Sequence, residues 1–156
     1  MRKFEKISFE QFKKDISDDL ELYNSYNLPK RSTKSSAGYD FESLFDFTIM
    51  PGDNKLIATG IKACMNEGEV LFLVVRSSQG FKYNVRMCNQ LGVIDKDYYN
   101  TKKNEGHIFI KLVNEGTQEY VVKKGDKIVQ GIFTNFLTVD DEEEIKDERT
   151  GWTYLK

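Results

Sequence analysis

Six consecutive apolar residues, Val70-Leu71-Phe72-Leu73-Val74-Val75, stand between the turn signal Asn66-Glu67-Gly68 and the polar run Arg76-Ser77-Ser78. A stretch this short, bounded this way and apolar on both strand faces, reads as a central strand inside a covered sheet. Around it the chain keeps to short strand-like segments at 45–50, 55–62, 108–113, 119–122 and 128–134. Pro51-Gly52-Asp53, Asn114-Glu115-Gly116 and Lys124-Gly125-Asp126 supply turns between them. Eight or more short strands without helices alternating between them exclude a parallel α/β fold. The expected architecture is mostly β, a jelly-roll-like β-barrel.

One short N-terminal helix is expected before the strands begin. Ser8 and Gln11 have the spacing of a capping box, and Phe9, Phe12 and Ile16 share one helical face, so the helix should run to about Asp18. Residues 23–27 read as a loop closed by Leu28-Pro29, and no further helix is expected. The chain of 156 residues then divides into an N-terminal strand and helix extension (1–27), a barrel (28–139), and an acidic linker with a C-terminal arm (140–156).

Composition removes several function classes. The formal charge is −2, so no basic excess points to nucleic acid, and no apolar run approaches a membrane span. Residues 1–6 lack the apolar core of a signal peptide, and a cytoplasmic setting is expected. Cys64 and Cys88, in apolar surroundings on expected strands, should be reduced and buried. With one histidine, His107, they form no metal-ligand cluster, and His107 is expected to be a structural hydrogen-bonder.

Four stretches carry chemistry, each with an ordinary reading beside it. Asn89-Gln90-Leu91-Gly92-Val93-Ile94-Asp95-Lys96-Asp97-Tyr98 is expected as a short β-hairpin with a polar tip. It offers an amide, a bare backbone at Gly92, a carboxylate and an aromatic ring, although an Asp at a strand rim is also an ordinary surface feature. Arg76-Ser77-Ser78-Gln79-Gly80 places a cation and hydroxyls at the end of the central strand, which suits phosphate oxygens and is also common turn chemistry. Ser36-Ala37-Gly38-Tyr39-Asp40-Phe41 is a turn entering a strand. Gly125-Asp126-Lys127-Ile128-Val129-Gln130 is the same, with Gln130 open to a backbone-satisfied role.

Together these four stretches resemble, in order, the motifs of the homotrimeric dUTPases. Gly92 to Tyr98 reproduces the third motif. Ala37 to Phe41 is similar to the first, with Phe41 for Leu, and Arg76-Ser77-Ser78 to the second. Gly125 to Gln130 is similar to the fourth, with Lys127 and Val129 as departures, and the likeness spans roughly residues 28–133. The fifth motif is reduced to Arg149-Thr150-Gly151-Trp152, without the Gly-Ser-Thr-Gly that follows in the family. A second departure is the longer loop 100–106 after Tyr98, where Asn100 should tolerate a positive φ.

The resemblance implies hydrolysis of dUTP to dUMP and pyrophosphate by water attacking the α-phosphorus, with Asp95 as general base, a role that partial burial would favour. It implies Mg²⁺ held through the phosphates and water, with no direct protein ligand and Asp40 helping to organise the water shell. Arg76, Ser77, Ser78, Gln130 and Arg149 would hold phosphates, and Trp152 would cover the base. Asn89, Gly92, Val93 and Ile94 would read the uracil edge, and Tyr98 beneath the deoxyribose would exclude a 2′-hydroxyl. A homotrimer with sites at subunit interfaces is implied as well. Two alternatives stay open: a dCTP deaminase-like enzyme, which the Asp95 and Tyr98 pair argues against, and a weakly active dUTP-binding regulatory homologue, which the altered tail keeps in view.

Overall fold

The central apolar run forms β7 (Glu69–Val74), and both of its edges are paired. On one side lies β12 (Lys127–Asn135) and on the other β9 (Gly92–Asp95), both antiparallel. Leu71 and Leu73 are fully buried on one face; on the other Val70 is buried, and Phe72 and Val74 are half-buried. β3 (Tyr39–Glu42) and β2 (Lys30–Arg31) complete a five-stranded sheet in the order β2-β3-β12-β7-β9. The computed structural model describes residues 1–152; residues 153–156, the end of the expected arm, lie outside the described residues.

A second sheet orders β5 (Asn54–Ala58), β10 (Phe109–Asn114) and β8 (Val85–Met87). Ile110 and Leu112 of β10 alternate inward and join Phe41, Leu71, Leu73 and Ile128 in one core. Two ribbons close the ends: β1 (Lys3–Lys6) with β6 (Ile61–Cys64), and β4 (Phe47–Ile49) with β11 (Tyr120–Val122). The fold is mostly β, as expected, and its ladders form separate sheets that face one another instead of one closed barrel ladder. Among the described residues no helix is long and apolar enough to cross a membrane.

The N-terminal helix exists but is shorter than its apolar spacing suggested, α1 running Phe9–Asp15 with Ile16 as its C-cap. Ser8 Oγ accepts from the Gln11 N–H at 3.1 Å, half of the expected capping box. The other half comes from far away in sequence: Glu105 accepts from the Ser8 N–H at 2.7 Å and from its hydroxyl at 2.6 Å. Gln11 turns instead to Asp15. Ile7, Phe12 and Tyr26 belong to the same core as the sheets.

Several expectations are corrected. A second helix, α2 (Leu20–Ser25), covers part of the expected loop; Asp19 caps it by accepting from Leu22 N–H, and six residues are too few to show a periodicity. A third, α3 (Ser77–Tyr83), follows β7, where serines and Gly80 read as a turn; Asn84 ends it in the left-handed conformation at φ 54°. The expected single strand 55–62 is two, broken at Thr59-Gly60 where Gly60 has φ +74° and Tyr26 Oη donates to its carbonyl at 2.8 Å. Asn89 to Tyr98 is not a hairpin: β8 pairs with β10 and β9 with β7, so the chain arches from one sheet to the other through a turn at 88–91. Gln90, at φ 64°, and its N–H on the Met87 carbonyl shape that turn. Cys64 is half-buried on β6, but Cys88 is exposed in the turn, because the strand ends at Met87.

Asp15 and Glu105 make the fold acid-sensitive. Burial alone would raise both carboxyls, but hydrogen bonds from His107 and Gln11 to Asp15, and from Lys62 and Ser8 to Glu105, outweigh it and hold both below their ordinary range. Below about pH 4 the unfolded chain therefore binds more protons than the folded one. The stability these pairs contribute is complete above that range and is lost as pH falls through the lowered folded values. Thermal unfolding followed from pH 7 to pH 3 should show the midpoint falling in acid, and Glu105→Gln should lower it at pH 7 while making the acid fall shallower.

Candidate active site

Where the chain arches between the sheets it leaves a cleft of about 330 Å³. β9 and β10 both line it, with the buried Leu73 and Met87 and the exposed Leu56. Asn89, Gly92, Val93, Ile94, Asp95 and Tyr98 all line it, so the residues expected from that stretch do converge. Gly92 is needed for packing: a Cβ there would lie 3.1 Å from Leu73 Cβ and 3.3 Å from Met87 Cε. β9 is the edge strand of its sheet, so the N–H and C=O groups on its outer side have no ladder partner among the described residues. The side chain of Asp95 is 45% exposed in the single chain, half-buried at the cleft's rim.

Tyr98 ends a 3-10 turn (Lys96–Tyr98) and is buried except for the ring surface it gives to the cleft. Its hydroxyl donates to the His107 carbonyl and accepts from Asn104 Nδ2 at 2.7 Å. Burial is the main cause that pushes this phenol up to about 12, so it stays protonated at neutral pH. Loop 100–106 is a tight knot with Asn100 at φ 57°, as expected, and Glu105 at φ 61°. Gly106 closes it against the Tyr98 carbonyl, 2.4 Å from where a Cβ would sit.

The C-terminal arm lies over the same cleft. Trp152 stacks on Phe109 at 5.1 Å, and the Thr150 carbonyl accepts from Lys103 N–H at 2.9 Å. Arg149 donates to Asp95 at 2.6 Å and to Asp97 at 2.9 Å. The hydrogen bond to Asp97, with the charges of Asp97 and Asp95, holds the guanidinium more firmly charged. The arginine expected on phosphates is thus placed on the expected base, in its own chain.

The remaining expected residues gather elsewhere. Arg76, Ser77, Ser78 and Gln130, with Ser32, Ser36, Gly38 and Asp40, line a polar cleft of about 370 Å³ that shares no lining residue with the first. Asp40 is buried and holds the cleft's cations, Arg76 Nε at 3.0 Å and Lys127 Nζ at 3.5 Å, and accepts from Ser32 Oγ at 2.6 Å. Gln79, also buried, pins this end to β12 by accepting from Arg76 N–H at 2.7 Å and donating to the Ile128 carbonyl at 2.8 Å. Gln130 donates to the Val75 carbonyl at 3.2 Å and still faces the cleft.

The β7 register separates the two clefts. Asp95 pairs with Val70 near the start of β7, and Arg76 lies two residues past its end at Val74, about 20 Å from Val70 at an extended rise per residue. Sequence reasoning missed Phe109, Asp97, Ser32 and Asn104. Asp97 lies inside the recognised stretch, and its neighbour Asp95 drew the attention; Phe109 and Asn104 carry no local signal.

A sequence model of the dUTPase family matches residues 24–153. The chain belongs to the dUTPase family. A Lactococcus lactis deoxyuridine 5'-triphosphate nucleotidohydrolase is 51% identical over 126 residues, covering 80% of this chain and 84% of that relative. One from Blochmanniella pennsylvanica is 34% identical over 78% and 79%. The crystal structure of dUTPase from Streptococcus mutans superposes with a TM-score of 0.70 at 42% identity, covering 88% of this chain and 98% of that one. A dUTPase from phage phi11 of S. aureus, at 19% identity and TM-score 0.67 over 94% and 97%, shares the fold, and its structure coordinates a structural Mg(II) ion. Family membership sets the dCTP deaminase-like reading aside.

In this dUTPase, Gly38 makes room for Gln130: a Cβ at position 38 would lie 2.0 Å from Gln130 Oε1. It would also lie 3.1 Å from Gln130 Cβ, so Gly38→Ala should displace the carboxamide and break its bond to the Val75 carbonyl. Thermal denaturation should show the variant less stable by about 1 kcal/mol, the worth of one such hydrogen bond.

Proposed function

We propose that this dUTPase hydrolyses dUTP to dUMP and pyrophosphate at sites completed between copies of a homotrimer. The observation that carries the reading is the carboxylate of Asp95 at the rim of a cleft that is apolar inside and edged by unladdered backbone. Uracil presents one fixed pattern of donors and acceptors to such an edge. Cytosine presents the opposite pattern and would leave buried groups unpaired, which is costly. Tyr98 flattened beneath the sugar leaves no space for a 2′-hydroxyl.

Asp95 takes a proton from the water that attacks the α-phosphorus. For that, its carboxylate has to exchange Arg149 for the water, and the triphosphate gives the guanidinium a more highly charged partner. Arg76, Ser77, Ser78 and Gln130 hold phosphate oxygens. Along the strand direction Arg76 is about 20 Å from Val70, the ladder partner of Asp95, and Gln130, opposite Val74, about 13 Å, so we infer that a second copy supplies one of the two sets. Among the described residues no three His, Cys, Asp or Glu side chains come together as metal ligands. We infer that Mg²⁺ would be held through the phosphates and water, as the family resemblance implies. When bound, the ion neutralises phosphate charge. Both cysteines are free thiols, which supports a cytoplasmic setting.

A second reading, a regulatory homologue that binds dUTP and turns it over weakly, rests on Arg149 occupying Asp95. Pyrophosphate release from dUTP, dCTP, dTTP and UTP with Mg²⁺ separates the two. The enzyme reading expects release from dUTP alone and a loss of about 100-fold or more in Asp95→Asn. Tight dUTP binding without release in the wild-type chain would contradict it and establish the regulatory reading.

A further inference from the structure

The N-terminal helix lies before residue 24, where the family match begins, yet it is wired to the Tyr98 ring. Asp15, the last residue of α1, accepts from His107 Nδ1 at 2.6 Å. His107 is wholly buried, and its Nε2 accepts the Gly60 N–H at 2.9 Å. A nitrogen that accepts from a backbone N–H carries no proton, so the ring proton sits on Nδ1 and is donated to Asp15. Both ring nitrogens are thereby satisfied, and the imidazole also packs on Phe109 at 4.4 Å. This residue cannot shift without breaking a buried bond, and its carbonyl is the acceptor for the Tyr98 hydroxyl.

The other side of that hydroxyl is held as firmly. Asn104, buried within the unusual loop, donates to it at 2.7 Å and accepts from Thr101 Oγ1 at 3.0 Å. A phenol has one proton to give, and here it is given to His107 while the oxygen accepts from Asn104, so the ring is tethered from two directions. We propose that Asp15, acting through His107, and Asn104 are positioning residues that fix the Tyr98 ring against the nucleotide's sugar and so set discrimination between deoxyribo- and ribonucleotides. The sugar contact rests on the function proposed above; the tethering of the ring does not. Asp15 and His107 touch no reacting atom.

The test is a double-mutant cycle with two readouts. Asp15→Ala should lower the preference for dUTP over UTP in kcat/KM about tenfold, the worth of one buried hydrogen bond, whereas Asp15→Asn, which keeps an oxygen for Nδ1–H, should restore most of it. In a Tyr98→Phe background, which has no hydroxyl to hold, Asp15→Ala should cause no further loss. Asn104→Ala, which leaves α1 intact, carries the same expectation if Asp15→Ala does not fold. Independently of turnover, exchange of the Tyr98 hydroxyl proton with solvent, followed in isotope-edited tyrosine spectra of the free protein, should speed up at least tenfold in Asp15→Ala and Asn104→Ala but not in Asp15→Asn. Unchanged exchange, or selectivity losses that simply add to that of Tyr98→Phe, would overturn the proposal. Faster exchange in a protein that shows no dUTP preference even as wild type would uphold the tether and overturn the sugar reading.

Discussion

β7 bonds to a neighbour on each edge and buries side chains on both faces, so its six residues have no freedom to shift. A one-residue slip would turn Leu71 and Leu73 out of the core. Everything functional is referred to that strand. The β9 register places Asp95 beside Val70 at its beginning, and Arg76 and Ser77 follow directly from its end. The length of one strand thus sets the spacing between the Asp95 carboxylate and the Arg76 end of the polar cleft, the spacing on which the proposed sharing of sites between copies rests.

Burial on both sides of the site is paid for with glycines and with long-range polar ties. Gly38 leaves room for Gln130, and Gly92 lets β9 lie close to Leu73. Glu105 completes the cap of α1, and Asp15 orients His107, so the helix and loop 100–106 hold each other in place. The same loop gives Lys103 N–H to the arm, whose Arg149 and Trp152 then rest on Asp95 and Phe109. Arg149 thereby joins the arm to both carboxylates at the cleft's rim.

The sequence was most legible where local chemistry decides structure. The apolar run of β7, the turn at Pro51-Gly52-Asp53 and the Ser8 cap are settled by residues within a few positions of one another. The family was legible through the order of the motifs, and the residues they nominated line two clefts. What stayed hidden depends on partners remote in sequence. Whether Asn89 to Tyr98 is a hairpin or an arch is decided by β10 and β7 competing for its two arms, not by its own residues. Glu105 at the cap of α1, and Asp40 on Arg76 and Lys127, are likewise pairings that no spacing announces. α3 was missed because a serine-rich start and Gly80 satisfy a turn as well as a helix.

The claim that base and phosphate grip come from different copies is tested most directly by mixing two inactive variants. Asp95→Asn and Arg76→Gln are each purified, combined in equal amounts, unfolded and refolded together, and assayed for pyrophosphate release from dUTP. If each site draws these residues from two chains, random assembly restores about a quarter of the wild-type rate, because a copy intact at one position can face a copy intact at the other. If one chain supplies both, every site carries a defect and the mixture stays as inactive as its components, which would contradict the account.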